Sequence, residues 1–350
     1  LDEIVVVGYG STSKKDLTGA VSTIGVKQLQ DKPVANVTQA LQGKTSGLQI
    51  VSTGGRAGDA TQISIRGNGS LSASNNALYI IDGVPQEDMT GISPEDIKSI
   101  SILKDAASTA IYGSRASNGV VLIQTKRGGY QQDVSVSFNT SYGFQNIIKR
   151  PSLLNAKQYK QVSDAARINY EQDIASGALN APKDPTVLTP LPNSPHNTDW
   201  LKLVLRENAT VKRYQFSIAG GGENTRAYLS ASLFDQEGII KEDNYKVGRI
   251  KLNVEQKMND YVKFGVNSFF SYSEATPIVD DNDTYQPYSK ALEARPDVSP
   301  YDAEGNIAIR SFTNPLFAFE REVTNKWQNL GGTLFFDVTP IESIVWHSAL

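Results

Sequence analysis

Val134-Ser135-Val136-Ser137-Phe138-Asn139-Thr140-Ser141-Tyr142 alternates large side chains with small polar ones, residue by residue. A period of two marks a β-strand whose two faces meet different surroundings. The pattern recurs along the rest of the chain. Ala227, Leu229, Ala231 and Leu233 share one face, with Tyr228, Ser230 and Ser232 on the other. Ile250, Leu252 and Val254 alternate with Arg249, Lys251 and Asn253, and Val262, Phe264 and Val266 with Lys263, Gly265 and Asn267. Leu334, Phe336 and Val338 alternate with Thr333, Phe335 and Asp337. With 211–220 and 341–350 this predicts about seven strands of roughly ten residues or more, long for globular strands.

The connections sort by length. A stretch of roughly 60 residues follows the strand at 134–145, then a tight turn at Gly221-Gly222-Glu223-Asn224. A medium loop near 236–244 precedes a tight turn at Asn259-Asp260, and a loop of roughly 50 residues over 275–326 precedes a turn at Pro340. Long and short connections alternate throughout, as in membrane β-barrels with short turns at one rim and long loops at the other. A soluble sandwich has no physical reason to sort its loops in this way. Single-chain bacterial barrels use even strand numbers from eight upward, so seven strands predict further strands beyond Leu350.

Bulk numbers fit that reading. The 350 residues carry 34 Lys+Arg against 37 Asp+Glu, a net charge of -3, so nothing global favours nucleic acid. Mean hydropathy is -0.32, as expected where only every second strand residue meets lipid. No run of about 20 apolar residues offers a transmembrane helix. There is no cysteine, hence no disulfide or thiolate chemistry, and two histidines, His196 and His347, exclude a multi-histidine metal centre. The chain opens without a basic and apolar leader pattern, so any signal peptide is expected to be already removed.

Upstream of the strands, residues 33–129 alternate short helix and strand signals. Val37–Leu41 predicts a helix; Leu48-Gln49-Ile50-Val51, Ile63-Ser64-Ile65, Leu78-Tyr79-Ile80-Ile81 and Val120-Val121-Leu122-Ile123 predict strands. Asp82-Gly83 with Pro85 is a turn signal, and Ser93-Pro94-Glu95-Asp96 opens a helical turn. Such an α+β unit is long enough for a modest core. Residues 1–32 join an apolar β-branched run, Ile4-Val5-Val6-Val7, to a polar Ser/Thr/Lys stretch. That run favours an extended backbone, either as a first strand of the α+β unit or as a segment that adds to a partner's sheet edge.

Asp2-Glu3-Ile4-Val5-Val6-Val7-Gly8-Tyr9-Gly10 resembles the Ton box of the SusC/RagA family of TonB-dependent outer-membrane transporters. Ala40-Leu41-Gln42-Gly43-Lys44, Gly47-Leu48-Gln49-Ile50, Ile65-Arg66-Gly67 and Leu78 to Pro85 resemble that family's plug domain. So do Leu103-Lys104-Asp105-Ala106-Ala107, Ala110 to Ala116, Gly119-Val120-Val121 and Thr125-Lys126. Asn197-Thr198-Asp199-Trp200 and Asp235-Gln236-Glu237-Gly238 resemble its first-loop and early-hairpin signatures. The resemblance implies a 22-stranded membrane β-barrel with the α+β plug inside its lumen, of which about seven strands fall in 130–350. It implies import of oligosaccharides or peptides across the outer membrane of a Gram-negative bacterium. The Ton box and plug would face the periplasm, and the long loops the outside. The implied partners are TonB, with the ExbB/ExbD complex that draws on the proton-motive force, a SusD-like surface lipoprotein, and membrane lipid.

Within that frame, Asp2, Glu3 and Ile4 to Val7 are the expected TonB-binding residues. Arg66 and Arg115 are expected to bridge plug to wall, because an arginine inside a lumen needs carboxylate partners, with Lys104 and Asp105 as further members. Tyr285, Tyr288 and Tyr301, with Phe312, are candidates to meet substrate or the lid protein. Asp280, Asp281 and Asp283 offer oxygen ligands for Ca²⁺ but lack EF-hand spacing, so a solvated loop tip is the alternative. No cofactor is required. Enzyme motifs fail: Thr38 stands where a P-loop before Gly43-Lys44-Thr45 needs glycine, and Ser13 and Ser72 stand where dinucleotide fingerprints need a third. Ser11 and Lys14 lack the companion motifs of serine acyl-transferases. A secreted β-rich adhesin or glycan-binding protein is the competing reading. It accounts for the strands but not for the Ton box or the loop asymmetry.

Overall fold

The computed structural model describes residues 4–7, 10–13, 21–25, 36–45, 47–52, 56–58, 61–65, 67, 76–86, 88–182, 188–277, 286–308, 314–320, 323–341 and 344–349. β1 (Ile4–Val7) and β2 (Gly10–Ser13) pair antiparallel as a two-stranded sheet of their own. The β-branched run is therefore not a strand of the α+β unit's main sheet.

That sheet has five strands. In chain order the unit comprises β3 (Val21–Gly25), α1 (Val37–Leu41), β4 (Leu48–Ser52), β5 (Thr61–Ile65), β6 (Leu78–Ile81), β7 (Val84–Gln86), β8 (Ile97–Leu103), α2 (Ala106–Thr109) and β9 (Val120–Thr125). The sheet order is β3-β8-β9-β6-β7, while β4 and β5 form a separate ladder. β6 is buried on both faces and lies parallel to β9, as an unbroken apolar run requires. It turns into β7 through Asp82 and Gly83, both at positive φ (48° and 94°), the geometry of a tight hairpin turn. Pro85 is tolerated because β7 is an edge strand. Tyr79 and Ile81 pack with Leu41, Ile63, Ile100 and Ile123 on one side, and Leu78 and Ile80 with Leu103, Val120 and Leu122 on the other.

Two strands depart from the expectations. β3 lies in the stretch expected as linker, yet it pairs with β8 and buries Ile24 to 1% exposure. β8 was not among the expected strands, although Ile100-Ser101-Ile102 alternates as Ile63-Ser64-Ile65 does; a register shift between Ile97 and Ser99 interrupts the period at its start alone.

The seven predicted strands form one antiparallel meander: β10 (Gln132–Gln145), β11 (Ala209–Gly221), β12 (Thr225–Glu237), β13 (Asn244–Lys257), β14 (Val262–Thr276), β15 (Asn325–Ile341) and β16 (Ile344–Ala349). Burial on this sheet is inverted relative to a soluble one. Along β13, Arg249, Lys251, Asn253 and Glu255 are buried, whereas Ile250 and Leu252 are 52% and 38% exposed. The register aligns Phe138, Phe216, Ala231, Ile250, Phe270 and Leu330 as one row across six strands, all exposed. An apolar outside over a charged inside is the dyad of a membrane barrel wall. The chain is thus a plug seated on the wall segment of a β-barrel.

The long connections are not bare loops. The first carries α3 (Ala156–Ala175), started by a capping box between Asn155 and Gln158, and α4 (Trp200–Val204). The last carries α5 (Pro287–Glu293) and a 3₁₀ turn at Pro315–Glu320. Trp200, Leu201 and Val204 pack with Ala291 and Leu316, so both long connections gather at one end of the sheet.

The plug–wall seam as candidate functional site

β13 crosses the whole height of the wall, and every second residue points at the plug. From the long-loop end downward, Tyr245 meets Gly58, where an added Cβ would lie 2.1 Å from the tyrosine ring. Arg249 Nε donates to Thr90 O at 2.7 Å. Lys251 Nζ stands 3.5 Å from Asp82 Oδ2, with side chains 4% and 6% exposed. Asn253 Nδ2 donates to Thr125 Oγ1 at 3.2 Å and to Lys126 O at 2.8 Å. Glu255 lies 3.7 Å from Arg127 and accepts the Tyr130 hydroxyl at 2.5 Å. One strand therefore contacts plug segments from residue 58 to residue 130, because period-two geometry keeps its inner residues in a single file.

The neighbouring strands widen the seam. From β11, Arg213 pairs with Glu95 and Gln215 Nε2 donates to Asp96 Oδ1 at 3.0 Å. From β12, the Tyr228 hydroxyl donates to the same oxygen at 2.8 Å, and Gln236 Oε1 accepts Gly58 N at 3.2 Å. Asp243, in the medium loop before β13, accepts Ala57 N at 3.0 Å. On the plug side the acceptors come from two turns. Asp82 sits in the β6–β7 turn, where its carboxylate also takes Thr125 N at 3.0 Å and Thr125 Oγ1 at 2.5 Å. Glu95 and Asp96 sit in the 3₁₀ turn Pro94–Asp96, whose Ser93 hydroxyl donates to Glu95 at 2.5 Å rather than capping the turn. Burial pushes the Asp96 carboxyl up, against the pull of hydrogen bonds from Ser230 and Tyr228 and of the Lys251 charge. Burial, then the hydrogen bond to Glu255 and its charge, push the Tyr130 hydroxyl up to about 12, so it remains a donor at neutral pH.

The described ion pairs across the seam are of both polarities. Among the described residues, plug carboxylates meet wall cations at Asp82–Lys251 and Glu95–Arg213, and a plug arginine meets a wall carboxylate at Arg127–Glu255. Of the expected bridging residues, Arg66 lies outside the described residues and Arg115 is exposed on the 3₁₀ segment Ala110–Ala116. Lys104 Nζ donates within the plug, to Ser22 Oγ at 2.8 Å and Thr45 Oγ1 at 3.4 Å. Asp105 caps α2 by accepting Ser108 N at 2.8 Å, a local bond that a short polar side chain ahead of a helix makes readily. Arg249, Lys251 and Asn253 were visible as the polar half of an alternating strand, but nothing in the sequence named their partners.

Asp2, Glu3, Asp280, Asp281, Asp283, Tyr285 and Phe312 also lie outside the described residues. Tyr288 packs against the cluster around Trp200, and Tyr301 is exposed beside its bridge to Ile307. Between the two long connections lies a cleft of about 500 Å³ lined by Arg150, Tyr159, Asp199 and Leu292. Arg150 stands 3.6 Å from Asp199 there. Nearby, the Arg295 guanidinium hydrogen-bonds Asp297 and holds its carboxyl below the usual range.

Residues 13–120 match the TonB-dependent receptor plug domain family. That range, like β3, begins ahead of residue 33. The chain is 33% identical to TonB-dependent receptor P26 of Formosa agariphila, over 99% of this chain and 34% of that protein. It is 35% identical to TonB-dependent receptor SusC of Bacteroides thetaiotaomicron, over 77% of this chain and 26% of that protein. The chain thus spans about a third or less of the length of these curated relatives. Among solved structures, the RagAB peptide importer in its open-open state superposes with a TM-score of 0.79 at 27% identity. The match covers 99% of this chain and 42% of that one. The siderophore receptor PirA of Acinetobacter baumannii, at 16% identity and a TM-score of 0.51 over 93% of this chain and 38% of that one, shares the fold.

Proposed function

We propose, because this chain belongs to the SusC/RagA-type TonB-dependent transporters, that the whole protein imports an oligosaccharide or a peptide across the outer membrane. The observation that carries this reading is the seam: a wall strand that offers lipid apolar residues on one face devotes its other face to seating a plug. A lumen held shut by buried ion pairs and hydrogen bonds needs work to open, and no nucleotide motif in the sequence offers a source. We assign that work to TonB, acting on the segment from Asp2 to Val7. Its β-branched residues are extended in β1, and β1 is separate from the plug's main sheet. An extended segment of this kind adds to a partner's sheet edge through its N–H and C=O groups.

In this reading the tight turns at 222–224 and 258–261 face the periplasm with the Ton box. The helical connections packed around Trp200 face outward, where a SusD-type lipoprotein and the substrate would be met. The relatives bracket the cargo: one structural neighbour is a peptide importer, and one curated relative is SusC. Val6→Pro tests the coupling. Proline removes an N–H from the strand, so uptake by the intact transporter should fail while the folded protein still reaches the membrane. Growth of a deletion strain complemented with each form, on a panel of glycans and peptides, reads the effect. Equal growth of the two forms on a substrate that the uncomplemented deletion strain cannot use would exclude the Ton box assignment.

A further inference from the structure

We infer that the joint between plug and wall, Arg127-Gly128-Gly129-Tyr130, is a fixed clamp rather than a hinge, with Tyr130 as its pin. This rests on the transporter reading, in which some part of the plug moves and some part holds. Adjacent glycines between two folded units ordinarily read as a flexible tether. Here neither glycine has the positive φ that would call for one. A Cβ on Gly128 would instead lie 2.4 Å from Ala227 O and 2.5 Å from Gly220 O. The glycine is there so that the joint can lie flat against the β11–β12 backbone. Gly129 N donates to Gln132 Oε1 at 2.6 Å, and Gln131 N to Gly222 O at 2.9 Å, so the backbone on both sides of the tyrosine is bonded down.

Tyr130 then ties two wall strands to the joint. Arg226 of β12 lies 4.8 Å and Lys257 of β13 4.0 Å from its ring centroid, within cation–π range. Its hydroxyl donates to Glu255, which also accepts Arg226 at 2.7 Å, so ring, hydroxyl, cation and carboxylate form one closed network. Just upstream, Lys126 is held from both sides: its N–H donates to Asp96 O at 2.7 Å and its carbonyl accepts Asn253. A plug pulled from its N-terminal side therefore keeps its C-terminal end on β12 and β13, and any passage opens along the flank away from those strands.

The test needs neither TonB nor cargo, so it stands apart from the test of the transport reading. Purified full-length protein is placed in planar lipid bilayers and KCl current is recorded, with heat-modifiable gel migration as the check on barrel assembly. Tyr130→Ala should raise the frequency of KCl openings about tenfold over the parent, the population shift expected when a contact set of this size is lost. Tyr130→Phe keeps the ring and loses the bond to Glu255, and should fall between. The 350 residues hold no cysteine, so Thr125→Cys and Asn253→Cys are placed in a full-length background in which any cysteine outside them is replaced by serine, and pair with each other. Added to Tyr130→Ala, that pair should silence the openings when oxidised and release them again with dithiothreitol. Openings at parental frequency in Tyr130→Ala, or openings that persist through the oxidised cross-link, overturn the clamp. Should Tyr130→Ala fail to assemble, Tyr130→Phe decides alone, and an unchanged opening frequency overturns it.

Discussion

Asp82 and Lys251 are the buried ion pair at mid-height of the seam, and removing either partner measures how firmly the plug is held. Deleting one member of a buried pair costs about 3–5 kcal/mol, because the other charge is left without compensation. Lys251→Met belongs at the low end: Asp82 keeps its bonds from Thr125 N and Oγ1 and has Arg127 at 3.8 Å. Asp82→Asn belongs at the high end, since it strands an ammonium with 4% side-chain exposure and also weakens the Thr125 contacts. A thiol placed on the covered face of the wall reports on lifting of the plug. Ser271, 5% exposed on the inner side of β14, is a suitable site, and Ser271→Cys would be the sole thiol among these 350 residues, any cysteine elsewhere in the protein being replaced by serine. In the regime where opening limits modification, the maleimide labelling rate follows the open population. Lys251→Met should then label about a hundredfold faster than the parent, and Asp82→Asn about five-thousandfold faster. The double variant Asp82→Asn/Lys251→Met should cost less than the sum of the two by about 0.5–3 kcal/mol, the coupling of residues in contact. Single variants that label within about twofold of the parent, or a double variant whose cost equals the sum, would refute the view that this pair holds the plug.

Two further outcomes follow from the wall and from the upper seam. Leu229, 40% exposed on the outer face of β12, should tolerate Leu229→Met, whereas Leu229→Arg should cost about 2–4 kcal/mol if the site is near the bilayer midplane. Urea-gradient refolding into lipid vesicles checks this, and equal stability of the two would mean that face does not meet hydrocarbon. Gly58 combines a φ of +69° with the Tyr245 ring 2.1 Å from where a Cβ would stand. Gly58→Ala should cost about 1–2 kcal/mol for backbone strain and a further 1–3 kcal/mol for overpacking. Tyr245→Ala in the same protein should relieve the overpacking part alone, as read by protease resistance of the plug. No relief would show that the ring is not what confines Gly58.

The wall was legible because alternation is a local signal: Ile250, Leu252 and Val254 against Arg249, Lys251 and Asn253 fix both the strand and its two faces. The central plug strands were legible for a similar reason, since Leu78–Ile81 and Val120–Ile123 are apolar runs that only a buried strand uses. β8 was overlooked although Ile100-Ser101-Ile102 alternates, because the register shift between Ile97 and Ser99 leaves a regular run of a few residues after Lys98. β3 was hidden by composition: Ser22 and Thr23 read as linker until β8 supplies a ladder for them. The seam was half legible. Arginine and lysine on a barrel's inner face announce that they need partners, but Asp82 owes its place to a hairpin turn and Asp96 to a 3₁₀ turn. Pairings between such distant stretches depend on how two units dock, which no local pattern encodes. The sequence therefore singled out Arg66 and Arg115, whereas the pairs described at the seam use Asp82, Glu95 and Arg127.

β13 has one more consequence, for how the chain tolerates insertion and deletion. Its outer residues satisfy hydrocarbon and its inner residues satisfy the plug, and the two sets interleave one by one from Tyr245 to Lys257. A single residue added or lost within that span reverses both sets at once. Arg249, Lys251 and Glu255 would turn into lipid, while Ile250 and Leu252 would face carboxylates. A strand in a soluble sandwich risks one face in such a slip; this one risks two, so length variation in this part of the protein belongs in the connections and not in the strand.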